Sequence, residues 1–311
     1  MSPPQARASV VLPVRDGAGR LVDVLEALRA QDIEGGLEIV ALDSGSRDGS
    51  RQVLAAATPR VIDIAPDAFD HGETRNRGAA EASGEYVLFL SQDAVPRDAQ
   101  YARRLVEALA ADPRLAGAFA RQEPRADADP LTRRDLHDWV ATAERPRTVF
   151  LDDPARLDTL PPLERYRLCA FDNVASAVRR DVLLRHPFAP ARFGEDVEWG
   201  QRVLRAGFGL AYVPEAVVVH SHRRSARALF RRNYLGHRTL LRLFGLRSVP
   251  DAAHLLRASA GALLSDLHTL RQAGGSPGQW LSAPFQAVAA TLGQYLGARD
   301  EARQRPYPDW A

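Results

Sequence analysis

From Ala8 to about His222, short apolar runs alternate with segments whose apolar residues recur at helical spacing. The run Ala8–Val14 (ASVVLPV) predicts a buried strand, and Leu21, Leu25 and Leu28 predict a helix over Arg20–Ala30. Leu37–Asp43 repeats the strand pattern and runs through the turn-rich SGSRDGS into the helical RQVLAAA; Arg60–Ile64 predicts a third strand. GETRNRGAAEAS predicts a short helix, Glu85–Ser91 (EYVLFLS) a fully apolar central strand, Asp98–Asp112 an amphipathic helix and Leu115–Ala120 another strand. The pattern then loosens through a Pro- and Asp-rich stretch to about Leu163, which is expected to be a mobile loop. It resumes with a strand at Asn173–Val178, a helix at Glu195–Ala206 and the strand AVVVH within Leu210–His222. Beyond Ser225 the spacing is almost wholly helical, with segments at Ala252–Gln272 and Gln279–Leu296. This alternation predicts an α/β fold, a mostly parallel sheet flanked by helices, followed by a helical C-terminal extension.

Composition narrows the chemistry. All 41 basic side chains of the 311 residues are arginine, so no reaction that needs a lysine is available: not a Walker-A loop, a pyridoxal Schiff base or a protein kinase. The single cysteine, Cys169, can form neither an internal disulfide nor a multi-cysteine zinc site, which fits a reducing compartment. A net charge of +2 gives no general affinity for nucleic acid. No apolar run is long enough to span a membrane, and the first residues lack a signal-peptide pattern, so the expectation is a cytoplasmic protein, peripheral at most on the inner face of a membrane.

Ligands of open α/β sheets bind at the carboxyl ends of the strands. There the chain carries Pro13-Val14-Arg15-Asp16, Asp43-Ser44-Gly45-Ser46 and Ser91-Gln92-Asp93. Asp43 suits hydrogen bonds from a base or ribose, and Asp93 suits a hard cation; Asp43 and Ser46 fit a turn and helix cap equally well. Further on, Gly194-Glu195-Asp196-Val197-Glu198-Trp199 sets three carboxylates around a helix start, where Glu198 reads as a dipole partner. His220 and His222 alternate onto one face, and either could coordinate a metal.

Taken in order, PVRD, DSGSRDGS, SQDA, GED and VVHSH resemble the family 2 glycosyltransferases of the GT-A fold, over roughly Ala8 to His222. Within that family, FDHGETRNRGAAEASGEYVLFLSQDA and the later Phe119-Ala120-Arg121-Gln122 look most like bacterial rhamnosyltransferases of polysaccharide assembly. The resemblance implies inverting transfer of a sugar, L-rhamnose first, from a nucleotide diphosphate donor (dTDP-L-rhamnose or a UDP-sugar) to a saccharide or lipid-linked saccharide. It implies Asp196 as general base with Glu195 beside it, Pro13, Val14, Arg15, Asp43, Ser44, Arg75, Gln92 and Asp93 around the donor, and Trp199 and Arg121 toward the acceptor. It further implies Mg²⁺ or Mn²⁺ on Asp93 and His220. The family's Asp-X-Asp is reduced to one carboxylate, because Ser91 fills the first position. It also implies a body over 1–222, with a donor half at about 8–120 and a catalytic half at about 165–222, and an extension over 223–311.

Other readings remain open: another hexose or N-acetylhexosamine as donor sugar, or a nucleotide-sugar-binding module without catalysis. A nicotinamide oxidoreductase fails because Gly17-Ala18-Gly19 lacks the third glycine of its fingerprint. Arg223–Val249 holds eight arginines and no acid, and on a helix Arg224, Arg227, Arg231, Arg238 and Arg242 form an arc. That arc reads either as a solvated face or as a surface for anionic lipid or an acceptor's pyrophosphate.

Overall fold

A computed structural model describes residues 7–137, 140–308 and 310. Nine strands form one sheet: β1 (Ala8–Val14), β2 (Leu37–Asp43), β3 (Val61–Asp63), β4 (Tyr86–Leu90), β5 (Val95–Pro96), β6 (Leu115–Glu123), β7 (Arg147–Val149), β8 (Ala175–Arg179) and β9 (Gly209–Val219). Their order is β3-β2-β1-β4-β8-β6-β9-β5, with β7 also on β9. The block β3-β2-β1-β4 is parallel, β8 runs antiparallel to β4 and β6, and β6 pairs parallel with β9.

The helices are α1 (Ala18–Arg29), α2 (Ser50–Ala57), α3 (His71–Glu81), α4 (Tyr101–Ala111), α5 (Pro130–His137), α6 (Arg156–Thr159), α7 (Pro162–Leu168), α8 (Arg180–Arg185), α9 (Glu195–Arg205), α10 (Ala226–Phe244), α11 (Ala252–Ala273) and α12 (Pro277–Ala302). Side chains alternate along each strand, so β1 sends Val10, Leu12 and Val14 to one apolar layer and Val11 to the other; β4 likewise divides Leu88 and Leu90 from Val87 and Phe89. Helices cover both faces: α1 and α4 bury Leu21, Leu25, Leu105 and Leu109 in the first layer, and α8 and α9 bury Val182, Leu183, Val203 and Leu204 in the second. The central strands are therefore buried along nearly their whole length, as their apolar runs require.

The stretch expected to be a mobile loop is instead largely ordered by contacts distant in sequence. α5 buries Leu131 with Leu270 and Ala283 of the C-terminal helices, and β7 completes the antiparallel edge of β9. Asp138 and Trp139 lie outside the described residues. Strand β6 runs three residues past its expected end, through a bulge at Ala120–Arg121, and so carries Gln122 to the site. The helix expected from Asp98 begins at Tyr101, because the Asp98 carboxylate accepts the Gln100 N–H (2.9 Å) in a turn before it.

Helices α10 and α12 pack closely. A Cβ on Gly297 would lie 2.2 Å from the Tyr234 carbonyl oxygen, and one on Gly293 2.5 Å from that of Phe230. The arginine arc is largely spent here. Arg224 is ion-paired to Asp135 and to Asp266 (3.2 Å); Arg238, 3% exposed, meets Glu301 at 2.9 Å and lies over the Tyr307 ring at 3.8 Å. Arg231 and Arg242 donate to the Trp310 carbonyl and the Tyr307 hydroxyl, and of the arc Arg227 and Arg242 are exposed. No helix among the described residues is long and apolar enough to cross a membrane.

Candidate active site

The carboxyl ends of β1 and β2 are laced into one rim. Ser46 Oγ donates to Asp43 (2.5 Å) and accepts the Asp16 N–H (3.0 Å), Asp16 accepts the Arg47 N–H (2.8 Å), and Asp48 accepts the Ala18 N–H (2.9 Å). Gln92, just past β4, clamps this rim: its Oε1 accepts the Arg15 N–H (2.8 Å) and its Nε2 donates to the Arg15 carbonyl (3.0 Å). Gly17 is needed beneath it, since a Cβ there would lie 2.6 Å from Gln92 Oε1. Arg15 is exposed on the rim, Pro13 is half-buried and Asp43 is 4% exposed. Val14 and Ser44, expected around the donor, lie deeper than the rim. The Val14 side chain belongs to the core, its carbonyl accepts the Ser44 N–H (2.8 Å), and the Ser44 hydroxyl is enclosed with no hydrogen-bond partner.

Asp93 meets both histidines that come after β9. His220 Nε2 lies 3.5 Å and His222 Nδ1 3.6 Å from its carboxylate, and one ligand atom from each of the three residues lies within 4.8 Å of the others. A carboxylate and two imidazoles converging in this way fit a divalent cation. Burial alone would raise the Asp93 carboxyl, but His220, His222 and Arg125 hold it well below the usual carboxylate range. Burial first, then His220, brings the His222 imidazole down to about 4, so its lone pair is available at neutral pH. Arg125 joins this corner unexpectedly: its Nη2 donates to the Asp93 carbonyl (2.6 Å) and its Nη1 to the Ser221 carbonyl. No sequence motif marks Arg125; only the crossing of β6 with the end of β9 reveals it.

The third group surrounds the start of α9. Gly194 adopts the left-handed conformation (φ +79°) that turns the chain into this helix. The Asp196 carboxylate accepts the N–H groups of Asn173 (3.2 Å) and Val197 (2.8 Å). Burial, then the neighbouring Glu195 and Asp172 carboxylates, push Asp196 well above the usual range. Glu195 is 5% exposed and ion-paired to Arg75 at 3.0 Å. Arg75, expected at the donor, is enclosed with Glu195 and the His71 carbonyl (3.0 Å).

Trp199, expected toward the acceptor, is wholly buried between Phe171 and Phe188 (ring centroids 4.9 and 5.5 Å), and its indole N–H donates to the His186 carbonyl (2.8 Å). A tryptophan at that helical position falls on the core face of α9. Arg121 pairs with Glu123, on the face of β6 opposite Gln122. Glu198 pairs with Arg202 at 2.9 Å, a solvated helical pair.

The sheet order, the site at the strand ends and the C-terminal helices define a GT-A type α/β transferase. The chain belongs to glycosyl transferase family 2, whose model matches residues 9–168, just over half of it. It is 28% identical over 209 residues to the O-antigen chain rhamnosyltransferase WbaN of Salmonella anatum, covering 63% of this chain and 60% of that protein. It is 26% identical over 241 residues to RfbN, an O-antigen chain rhamnosyltransferase of Salmonella typhimurium, covering 73% and 70%. In fold it is similar to a mannosyltransferase from Pyrobaculum calidifontis, solved with GDP-Man and Mn²⁺ (TM-score 0.62, 17% identity, 96% of this chain and 88% of that one). Glucosyl-3-phosphoglycerate synthase from Mycobacterium tuberculosis, solved with Mn²⁺, UDP-glucose and glycerol 3-phosphate, is a further neighbour (TM-score 0.51, 23% identity, 79% and 82%).

Proposed function

We propose that the protein is an inverting, metal-dependent glycosyltransferase that moves a sugar, L-rhamnose first among the candidates, from a nucleotide diphosphate to a saccharide or lipid-linked saccharide in cell-envelope polysaccharide assembly. The observation that carries this reading is the half-buried Asp196 carboxylate at the start of α9, bonded to the turn that begins beside Asp172 and leads into β8, on the same sheet as an Asp93-His220-His222 cluster that could hold a cation. The two Salmonella O-antigen rhamnosyltransferases support the sugar and the pathway.

In this reading the Asp196 carboxylate takes the proton of the acceptor hydroxyl as that oxygen attacks the anomeric carbon. One displacement with one base inverts the carbon, and negative charge gathers on the departing diphosphate. Asp93, His220 and His222 would hold a divalent cation, which supplies Lewis-acid neutralisation of that charge. Two imidazoles and one carboxylate favour Mn²⁺ over the strictly oxygen-seeking Mg²⁺. Arg125 brings a fixed positive charge to the same corner, while Glu195, locked by Arg75, positions the start of α9 and is a poor rival base. The rim from Arg15 to Asp43 holds the nucleoside.

A thermal-shift panel of dTDP-L-rhamnose, UDP-sugars and GDP-mannose, with and without Mn²⁺, tests the donor. The true donor raises the melting temperature by mass action, more so with metal. Stabilisation by GDP-mannose alone would rule out rhamnose, and donor binding without transfer or hydrolysis would restore the non-catalytic module.

The acceptor's lipid has its own support. Exposed apolar side chains stand on α11 (Leu256, Leu264) and α12 (Leu281, Phe285, Val288), the last three at i, i+4 and i+7 along one face. Between 252 and 299 the sole acid is Asp266, buried and held by Arg134 and Arg224, while Arg257 and Arg271 are exposed. An apolar face free of exposed acids and flanked by arginine fits an anionic bilayer.

A further inference from the structure

Behind the metal corner runs a chain of hydrogen bonds anchored at one end by a backbone donor. Asp172 Oδ1 accepts the backbone N–H of Val174 (2.9 Å), a donor that cannot turn around. Asp172 Oδ2 accepts from Gln122 Nε2 at 2.6 Å, which orients the Gln122 amide and leaves its Oε1 facing His220 Nδ1 at 2.8 Å. A carbonyl oxygen only accepts, so Nδ1 carries the hydrogen, and Nε2, 3.5 Å from Asp93, is the ring nitrogen left to ligate a cation. Asp172 is 7% exposed, and Gln122 and His220 are 5% and 4% exposed, so water does not readily substitute for any link.

We infer that Asp172 and Gln122 form a relay that fixes the tautomer of His220 and so keeps its Nε2 ready to ligate a cation. Asp172 is a positioning residue that acts through Gln122. The inference rests on the reading of Asp93, His220 and His222 as cation ligands.

Asp172→Asn breaks the relay in a defined way. The side-chain oxygen at position 172 must stay on the Val174 N–H, which puts an NH₂ group against Gln122. The Gln122 amide then flips, presents its own NH₂ to Nδ1, and drives the hydrogen to Nε2. Adding Gln122→Glu repairs the pattern, because a carboxylate at position 122 accepts both from the new amide at position 172 and from His220 Nδ1–H.

The test compares wild type, Asp172→Asn and the double variant Asp172→Asn/Gln122→Glu by two measurements. Long-range ¹⁵N–¹H correlation on metal-free, histidine-labelled protein reads the His220 tautomer directly. Electron paramagnetic resonance of free Mn²⁺ reads affinity without donor or turnover. Expected are the Nδ1–H form in wild type, the Nε2–H form with Mn²⁺ affinity lower by about 10–100-fold in the single variant, and recovery of both in the double variant. Circular dichroism melts show that each variant folds. An unchanged tautomer in Asp172→Asn, or a double variant no better than the single one, overturns the relay. Failure of wild type to bind Mn²⁺ overturns the metal-site reading instead, and the tautomer data then decide the relay on their own.

Discussion

At the scale of single residues, two acidic side chains lie in opposed environments, which suits the two tasks proposed for them. Asp93 is held ionised by His220, His222 and Arg125, whereas Asp196 is pushed toward its neutral form by burial, Glu195 and Asp172. Asp196→Asn keeps the shape but cannot accept a proton, so turnover should fall about 10²–10⁴-fold with donor affinity intact. Asp93→Asn should weaken Mn²⁺-dependent donor binding as well, and calorimetric donor titrations paired with product assays separate the two. Near-normal turnover in Asp196→Asn would remove it as the base. In the proposed mechanism the same carboxylate sets the pH profile. A base must be ionised, so turnover should rise with pH and level off only above the raised value, with its acid limb above the ordinary carboxylate range. The charges around Asp196 are Glu195, Asp172 and, through Glu195, Arg75. Removing the first with Glu195→Gln should move the limb to lower pH, and a limb that stays put would refute the electrostatic account.

At the scale of elements, the HGETRN tract acts as a lock. The Asp70 carboxylate caps α3 by accepting the Gly72 N–H (2.8 Å) and Glu73 N–H (3.0 Å); Asn76 trades hydrogen bonds with the Phe188 backbone (2.8 and 2.9 Å), and Arg75 ties α3 to Glu195 on α9. Gly72 permits this approach, for a Cβ there would sit 2.2 Å from the Ala189 carbonyl oxygen. Gly72→Ala should therefore cost about 1–3 kcal/mol by overpacking. Trp199→Ala, which empties the core behind α9, should cost about 3–5 kcal/mol. Urea unfolding of both variants is the check, and a Trp199→Ala protein as stable as wild type would return that side chain to the acceptor side.

At the scale of the whole molecule, the C-terminal helices are anchored by buried charge and end in an exposed apolar face. Arg224 and Arg238 serve the anchoring, so membrane contact, one of the readings of the sequence over Arg223–Val249, moves in this proposal to α11 and α12. Leu281→Glu with Phe285→Glu should abolish sedimentation with anionic vesicles while transfer to a soluble acceptor persists. Wild-type binding should weaken with salt and be absent from neutral vesicles. Equal recovery of wild type and variant in the supernatant would exclude this surface.

The sequence by itself determined the layers. Uniform apolar runs make buried strands, and 3.6-residue spacing makes covering helices, so β1, β4 and α1 are legible from local pattern within a few residues. It also located the polar motifs at the strand ends, because parallel strands all deliver their C-terminal turns to one edge of the sheet. Only the tertiary structure decided which of those polar groups face one another. Arg75 and Trp199 sit within legible motifs, yet each turns inward to partners far away in sequence. Gln122 and Arg125 reach the site from a strand whose length is set by pairing with β9 and not by its own composition. The arginines of α10 look alike in sequence, and packing against α12 and the last residues separates those that are buried and paired from those that meet solvent. Side-chain partnership across the sheet is a long-range property, so single-chain periodicity carries no record of it.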